Sequence, residues 1–358
     1  MTTNASEYSD CLNEYITDQI LYIVIFVNFF FLNGVIGLLG LVVNVIKMIV
    51  FLKLGLRNST NITFFVLSAA DAGVVVMMLA HSFVFSPMVL KEINFDVAMN
   101  ISYNCLGFPY GLFSRVASLM TASITVERFL CVTFPLKVKL ILKPIVAVVE
   151  SVTVICVVVA ISIPAFISNS QSQVFIENID QIILKRKEAV LRALLESTSF
   201  LSLAIIQLIA IGVITFFSVA QTRKFLQITK WRHQVSSKIV TKTVKDKRLV
   251  KMVIFISVSF LLFSIPTLIF LFLAVFKQGF IIGGRCNKLY TIMCSAIFPT
   301  DGLNSLVSFF LFLHMSSKFK SMTRLIFQVT CSKGQRSQAA VREVKRESDC
   351  ELTCWRIQ

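Results

Sequence analysis

Charged residues are scarce in this chain. Asp, Glu, Lys and Arg make up 15% of its 358 residues against 56% hydrophobic ones, where a soluble domain carries about 25% charge. Too little polar sequence remains to cover a water-facing surface, which excludes a string of soluble domains and leaves a membrane protein. Histidine is rarer still. His81, His233 and His314 are the only three, and no His-x-x-x-His or comparable metal spacing occurs among them. No Walker or Gly-rich phosphate loop is present either, so neither an enzyme nor a metal centre is expected. No basic segment closely precedes the first apolar run, so no cleavable signal peptide is expected and the first helix acts as its own insertion signal. The absence of a repeat with a period of roughly 20 to 50 residues, and of barrel-like strand alternation, leaves helices as the spanning element.

What the chain does contain is seven apolar runs, near residues 21–52, 60–84, 105–130, 145–167, 196–220, 250–276 and 290–314. Each reaches the roughly 20 residues that one crossing needs, although Arg115 interrupts the third. The expected fold is all-α, a seven-transmembrane helix bundle. The chain then divides into an N-terminal segment 1–20, the bundle 21–314, and a tail 315–358. The formal net charge is +16, which in a soluble chain would suggest a nucleic-acid partner. With the N-terminus outside, however, 24 of the 35 Lys and Arg residues fall on the cytoplasmic side and 8 outside. That is the positive-inside bias, and attraction to the anionic inner leaflet accounts for the excess. The partner implied is the lipid bilayer, not nucleic acid, and the location a multi-pass position in the plasma membrane. Glu7, Asp10, Glu14 and Asp18 make the N-terminal segment acidic, which suits its export.

Of the nine cysteines, Cys11, Cys105 and Cys286 fall on the oxidising side, while the other six lie in spans or on the cytoplasmic side. Asn4 and Asn100 head outward-facing glycosylation sequons. Asn58-Ser59-Thr60 and Asn61-Ile62-Thr63 match the same pattern but lie inside or at the membrane.

A charge near the bilayer centre costs about 2.5–3.5 kcal/mol on insertion scales. Asp71 sits eleven residues into the second run, roughly 16 Å along a helix, and so mid-membrane. Asn44, Asn304, Ser305 and Ser308 lie at compatible depths. Together they read as an ion site, with sodium as the candidate cation, or as a structural polar knot between helices; both can hold. Lys47, Arg115 and Arg128 also lie inside the runs.

Several of these residues carry a resemblance. Gly-Leu-Val-Val-Asn44, the run from Asn61 through Leu67 to Asp71, Thr125-Val-Glu127-Arg128-Phe129, Phe134-Pro135-Leu136, and Phe260 with Phe263-Ser264-Ile265-Pro266 fall in the order seen in rhodopsin-like G-protein-coupled receptors. Met315-Ser-Ser-Lys318-Phe319-Lys320 resembles the start of that family's short amphipathic eighth helix, and Cys331 its palmitoylation site. The resemblance covers residues 40 to 331 or so, and is closest to the peptide-receptor and invertebrate chemosensory branches. It implies an extracellular ligand and a heterotrimeric G protein as partners. It also implies a switch in which Arg128, with Glu127 beside it and Asp246 on the sixth helix, ties the inner ends together until Pro266 lets the sixth helix swing outward. The bland alternative is a snorkelling Glu-Arg anchor and an ordinary membrane-helix proline.

The departures are equally specific. Ser264 stands where the family places tryptophan, Ser308-Phe309-Phe310-Leu311-Phe312 replaces Asn-Pro-x-x-Tyr, and the fifth helix lacks its proline. Cys105 is about two residues closer to Glu127 than the family spacing, and the loop from Ser168 to Ala193 holds no cysteine to pair with it. Cys105 is left to pair with Cys286 or Cys11, or to stay free. Tyr110 occupies the position at which amine receptors of the family carry aspartate, so a biogenic amine is not expected. Arg115 and Asp301 either pair with each other or bind a ligand carboxylate and a ligand amine, which would suit zwitterions or short peptides. His81 and Tyr103 are candidates for the mouth of the pocket, His81 alternatively being an ordinary helix residue. Lys185-Arg186-Lys187 begins an extension of the fifth helix whose basic start meets the acidic N-terminus as a lid, attracts an anionic ligand, or is simply a solvated face. Two other functions compete: a transporter or channel using the buried charges as a path, and a receptor-like protein that no longer couples.

Overall fold

The structure, a computed structural model, describes residues 16–134, 137–170, 182–235, 240–277, 279–280 and 284–331. Seven of its helices are long and apolar enough to cross a membrane, and no strand occurs among the described residues. The all-α expectation and the count of seven spans are borne out. In chain order they are α1 (Asp18–Leu54), α2 (Ser59–Val84), α3 (Phe95–Thr133), α4 (Pro144–Ser170), α5 (Ile182–Val235), α6 (Val240–Phe276) and α7 (Asn287–Met315), followed by α8 (Ser317–Cys331).

Local chemistry sets the ends of these elements. Thr17 caps α1, its hydroxyl accepting from the Ile20 amide at 3.3 Å, as threonine does at helix starts. Gly55, at φ +90°, turns the chain after α1 in a conformation that favours glycine. The Asn61 side chain donates to the Gly55 carbonyl at 2.9 Å and fixes the approach to α2. Pro144 opens α4, where its missing N–H costs nothing. The backbone of α5 begins at Ile182, well before its apolar span starts at Ser197, so the helix extends past the membrane segment as its sequence suggests. Two helices contain a π-helical turn, at Phe26–Leu32 in α1 and at Ser102–Gly107 in α3.

The bundle core is built largely of phenylalanine. Phe51, Phe64, Phe309, Phe312 and Phe319 pack together with Met120, Ile124 and Met322, and the Phe64 and Phe312 rings meet edge to face at 4.7 Å. Phe319 and Met322 belong to α8, so its apolar face is seated against the ends of α1 and α7. Large apolar side chains such as Leu38, Val42, Ile145 and Val149 are exposed on the outside, the pattern of a lipid-facing surface.

With lipid outside, close packing decides helix approach. A Cβ on Gly73 of α2 would lie 2.4 Å from Phe113 Cδ1 of α3, and one on Gly302 of α7 2.6 Å from Ile36 Cγ2 of α1. Gly73→Ala is therefore expected to destabilise the protein by about 1–3 kcal/mol, the usual cost of overpacking. Thermal unfolding in lipid nanodiscs measures this, and an unchanged midpoint would mean that the Phe113 ring swings aside freely.

Candidate functional site

Two polar networks cross the bundle. The first is centred on Lys47. One turn beyond Asn44 on α1, this lysine turns inward and is 1% exposed. Its ammonium lies 2.9 Å from Asp71 Oδ2 and donates to Ser308 Oγ at 3.2 Å and Ser305 Oγ at 3.4 Å. Its three protons thus have three acceptors. The Ser305 hydroxyl in turn lies 2.9 Å from Asn44 Oδ1 and 3.2 Å from Asp71 Oδ2. Four of the five expected residues therefore do meet around Asp71. Asn304 makes no hydrogen bond there and lines a neighbouring cavity instead. At Asp71, the candidate position for a sodium ion, the carboxylate holds a cation belonging to the protein itself. Sequence reading left Lys47 without a role; its i+3 spacing from Asn44 was the available signal.

The second network joins α3, α5 and α7. Asp301 Oδ2 accepts from Tyr110 Oη and from Ser114 Oγ, both at 2.7 Å. Arg115 is 4% exposed. Its Nη2 donates to Ser114 Oγ at 3.0 Å and its Nη1 to Gln207 Oε1, which also accepts from Ser118 at 3.2 Å. Arg115 and Asp301 are thus linked through the Ser114 hydroxyl and form no direct ion pair. Ser114, Ser118 and Gln207 were not anticipated. The first two share a helix face with Tyr110 at i+4 spacing, but nothing in the apolar run of α5 marks Gln207 as their partner.

Arg115 lines two cavities. The larger, about 1010 Å³, is walled by rings, among them Phe29, Tyr103, Phe108, Tyr110, Phe200, Phe270, Tyr290 and Phe298. Phe298 is stacked on Tyr110 at 3.9 Å and lies 4.3 Å from the His81 ring. His81 also lines this cavity, and its Nδ1–H donates to the Met77 carbonyl at 2.8 Å. Both π-helical turns supply lining residues, Phe29 from one and Ser102, Tyr103 and Gly107 from the other, consistent with the tendency of such turns to occur at functional sites. The smaller cavity, about 400 Å³, is polar and is lined by Asp71, Ser114, Gln207, Ser264, Asp301 and Asn304. A family model described as 7 transmembrane receptor (rhodopsin family) matches residues 41–319.

The chain belongs to the rhodopsin-like receptors. It is a multi-pass membrane protein of a family that is in general non-enzymatic. No curated protein matches it.

At the opposite end of this receptor the Glu127-Arg128 pair takes an unexpected form. Glu127 is buried, and its Oε1 accepts from Ser59 Oγ at 2.7 Å and Thr63 Oγ1 at 3.0 Å on α2. Arg128 makes no ion pair among the described residues; its guanidinium carbon lies 5.6 Å from the centre of the Phe64 ring, a cation–π arrangement. The expectation that Glu127 supplies Arg128 with its carboxylate is corrected accordingly: its Oε1 is held by two hydroxyls on α2, and neither its Oε2 nor Arg128 Nε has a partner among the described residues. Ser59 and Thr63 had registered only as parts of sequon patterns. Asp246 lies on α6 with its side chain outside the described residues, so the proposed lock has no described partner for Arg128. Phe260 packs against Ala122 and Ile214, and Pro266 lies inside α6, where it removes a backbone donor.

Of the three alternatives open to Cys105, the structure has the free thiol. Cys105 is an exposed free thiol, so it pairs with neither Cys286 nor Cys11. Cys286, just before α7, is disulfide-bonded to a cysteine outside those whose side chains are described; Cys11 and Asn4 lie outside the described residues, as does the side chain of Cys331. Lys288, two residues on, forms an ion pair with Asp18 at 2.8 Å and donates to the Ile16 carbonyl at 2.7 Å, which fastens the start of α1 to the start of α7. Asn100 lies on the first turns of α3, its amide donating to the Asp96 carbonyl at 3.0 Å. Alkylation of the unfolded, unreduced protein is expected to label Cys105 and Cys294 at once, and Cys286 only after reduction. Peptide mass spectrometry reads the outcome, and early labelling of Cys286 would overturn it.

Proposed function

We propose that this receptor binds an extracellular ligand, a peptide or a small chemosensory molecule, in the ring-walled cavity and activates a heterotrimeric G protein from the opposite face. In this reading it resides in the plasma membrane with its N-terminus outside, carries glycans at Asn4 and Asn100, and is palmitoylated at Cys331. The observation that supports it best is the continuity from the cavity to the centre of the bundle. Arg115 lines both the ring-walled cavity and the polar cavity that reaches Asp71. A ligand touching Arg115 therefore acts on the hydrogen-bonded network of α3, α5 and α7, next to a polar cavity that reaches Asp71 of α2. Movement of α6 about Pro266 then opens the face around which the basic residues between Arg223 and Lys251 cluster.

The test is guanine-nucleotide exchange on a purified G protein by the receptor reconstituted in vesicles. Basal exchange above that of empty vesicles is expected, and Asp246→Ala is expected to raise it several-fold at equal receptor content by releasing Arg128. No exchange from either form would favour a receptor-like protein that does not couple. Ion flux into the same vesicles without G protein would favour a transporter.

A further inference from the structure

The ring-walled cavity has a chemical selectivity that its size alone does not convey. We infer that its ligand is a small hydrophobic carboxylic acid, bound with its carboxylate on Arg115 and its apolar body among the rings. The inference rests on reading this cavity as the ligand site, and it narrows the ligand to one charge type.

Three observations carry it. The first is the state of Arg115. A guanidinium has five N–H donors, and two of them are directed to Gln207 and Ser114. Both acceptors are neutral oxygens, so a nearly fully buried cation faces the cavity with donors to spare and no carboxylate in direct contact. A planar fork of this kind binds a carboxylate through two parallel hydrogen bonds.

The second is the sign of the wall. Among the described residues that line it Arg115 is the only charged side chain, with no Asp or Glu beside it. Asp301 lines the polar cavity instead and already accepts from Tyr110 and Ser114. An amine would therefore meet a like charge in a low-dielectric site and find no counter-ion. This removes the amine half of a zwitterion or peptide.

The third is that the remaining polar groups of the wall are largely committed. The hydroxyls of Ser162, Ser199 and Thr291 donate to carbonyls of their own helices at 2.8 Å. Thr267 Oγ1, also on the wall, has no partner among the described residues, so what is left for a ligand is ring surface, one hydroxyl and one cationic end.

The experiment uses purified full-length receptor in phosphatidylcholine nanodiscs, without G protein, and follows thermal unfolding with ligand concentration. The probes are 4-phenylbutyrate and decanoate, the amides of both, and 4-phenylbutylamine. Both acids are expected to raise the unfolding midpoint in a saturable way, with the amides and the amine binding roughly ten- to a hundred-fold more weakly, the value of a charge-assisted contact. Arg115→Gln should abolish the difference between acid and amide, and Arg115→Lys should keep part of it. Should Arg115→Gln fail to fold, Gly111→Leu decides: Gly111 lines the cavity and a Cβ there meets nothing within 4 Å, so the variant should fold and lose acid binding by filling the space. Amides or the amine matching the acids, an acid response that survives Gly111→Leu, or no shift with either acid would each overturn the inference. Exchange is measured separately, so acid binding without exchange counts against the proposed coupling and leaves the ligand assignment intact.

Discussion

Lys47→Met is expected to lower the stability of the folded receptor by about 3–5 kcal/mol, the cost of leaving one member of a buried ion pair without the other. Asp71 would keep only the Ser305 hydroxyl, which is shared with Asn44, in a part of the bundle where a lone charge is expensive. Two controls separate this cause from lost packing. Replacing both members, Lys47→Met with Asp71→Leu, should restore most of the stability, because an apolar pair of similar volume carries no desolvation cost. In the single variant, sodium chloride should stabilise better than choline chloride at equal ionic strength, as a free cation enters the place the ammonium has left, whereas the parent receptor should not distinguish the two salts. A sodium-sensitive parent would show that Lys47 does not fill the site.

Asp301→Asn should have the next largest effect, and in two directions. The amide oxygen can still accept from Tyr110 and Ser114, so the geometry of the network is kept while its negative charge is lost. Arg115 then has no anion near it, and the empty receptor is expected to lose roughly 3 kcal/mol, the lower end for an uncovered buried charge. The stabilising shift produced by 4-phenylbutyrate should grow in the same variant, since the ligand now supplies the missing charge without competition. Thermal unfolding with and without the acid measures both. A variant as stable as the parent, or one whose acid response shrinks, would mean that Arg115 does not depend on Asp301 for compensation.

The number of helices and the polar residues around Asp71 were legible in the sequence because each leaves a local mark: an uninterrupted apolar run, or a polar side chain where lipid would exclude it. What the sequence did not show is direction. Lys47 on a membrane helix can snorkel to the interface or turn inward, and only the packing of Ser305 and Ser308 opposite it settles the matter. Glu127 had an adjacent arginine in sequence and two hydroxyls in space, and the hydroxyls of Ser59 and Thr63 took it. Gln207 is the reverse case, a single amide in an apolar run whose partner lies 92 residues away. The choice among the cysteines was open for a related reason: side-of-membrane logic marks Cys105 as able to oxidise, not as having a partner within reach.

The π-helical turn at Phe26–Leu32 divides α1 into two independent parts. Such a turn accommodates about one residue more than the α-turn it replaces, and one residue is about 100° of rotation on a helix. A single-residue deletion within it would restore plain α-helix and swing the first turns of α1, with Asp18 and its contact to Lys288, while leaving Asn44 and Lys47 in register with Asp71. The same deletion below Asn33 would carry Lys47 off its partner. A change of length at the mouth of α1 is thus expected to displace Phe29 of the ring-walled cavity and the Asp18 contact while leaving Lys47 in register with Asp71, so that the rim can be altered apart from the charged centre.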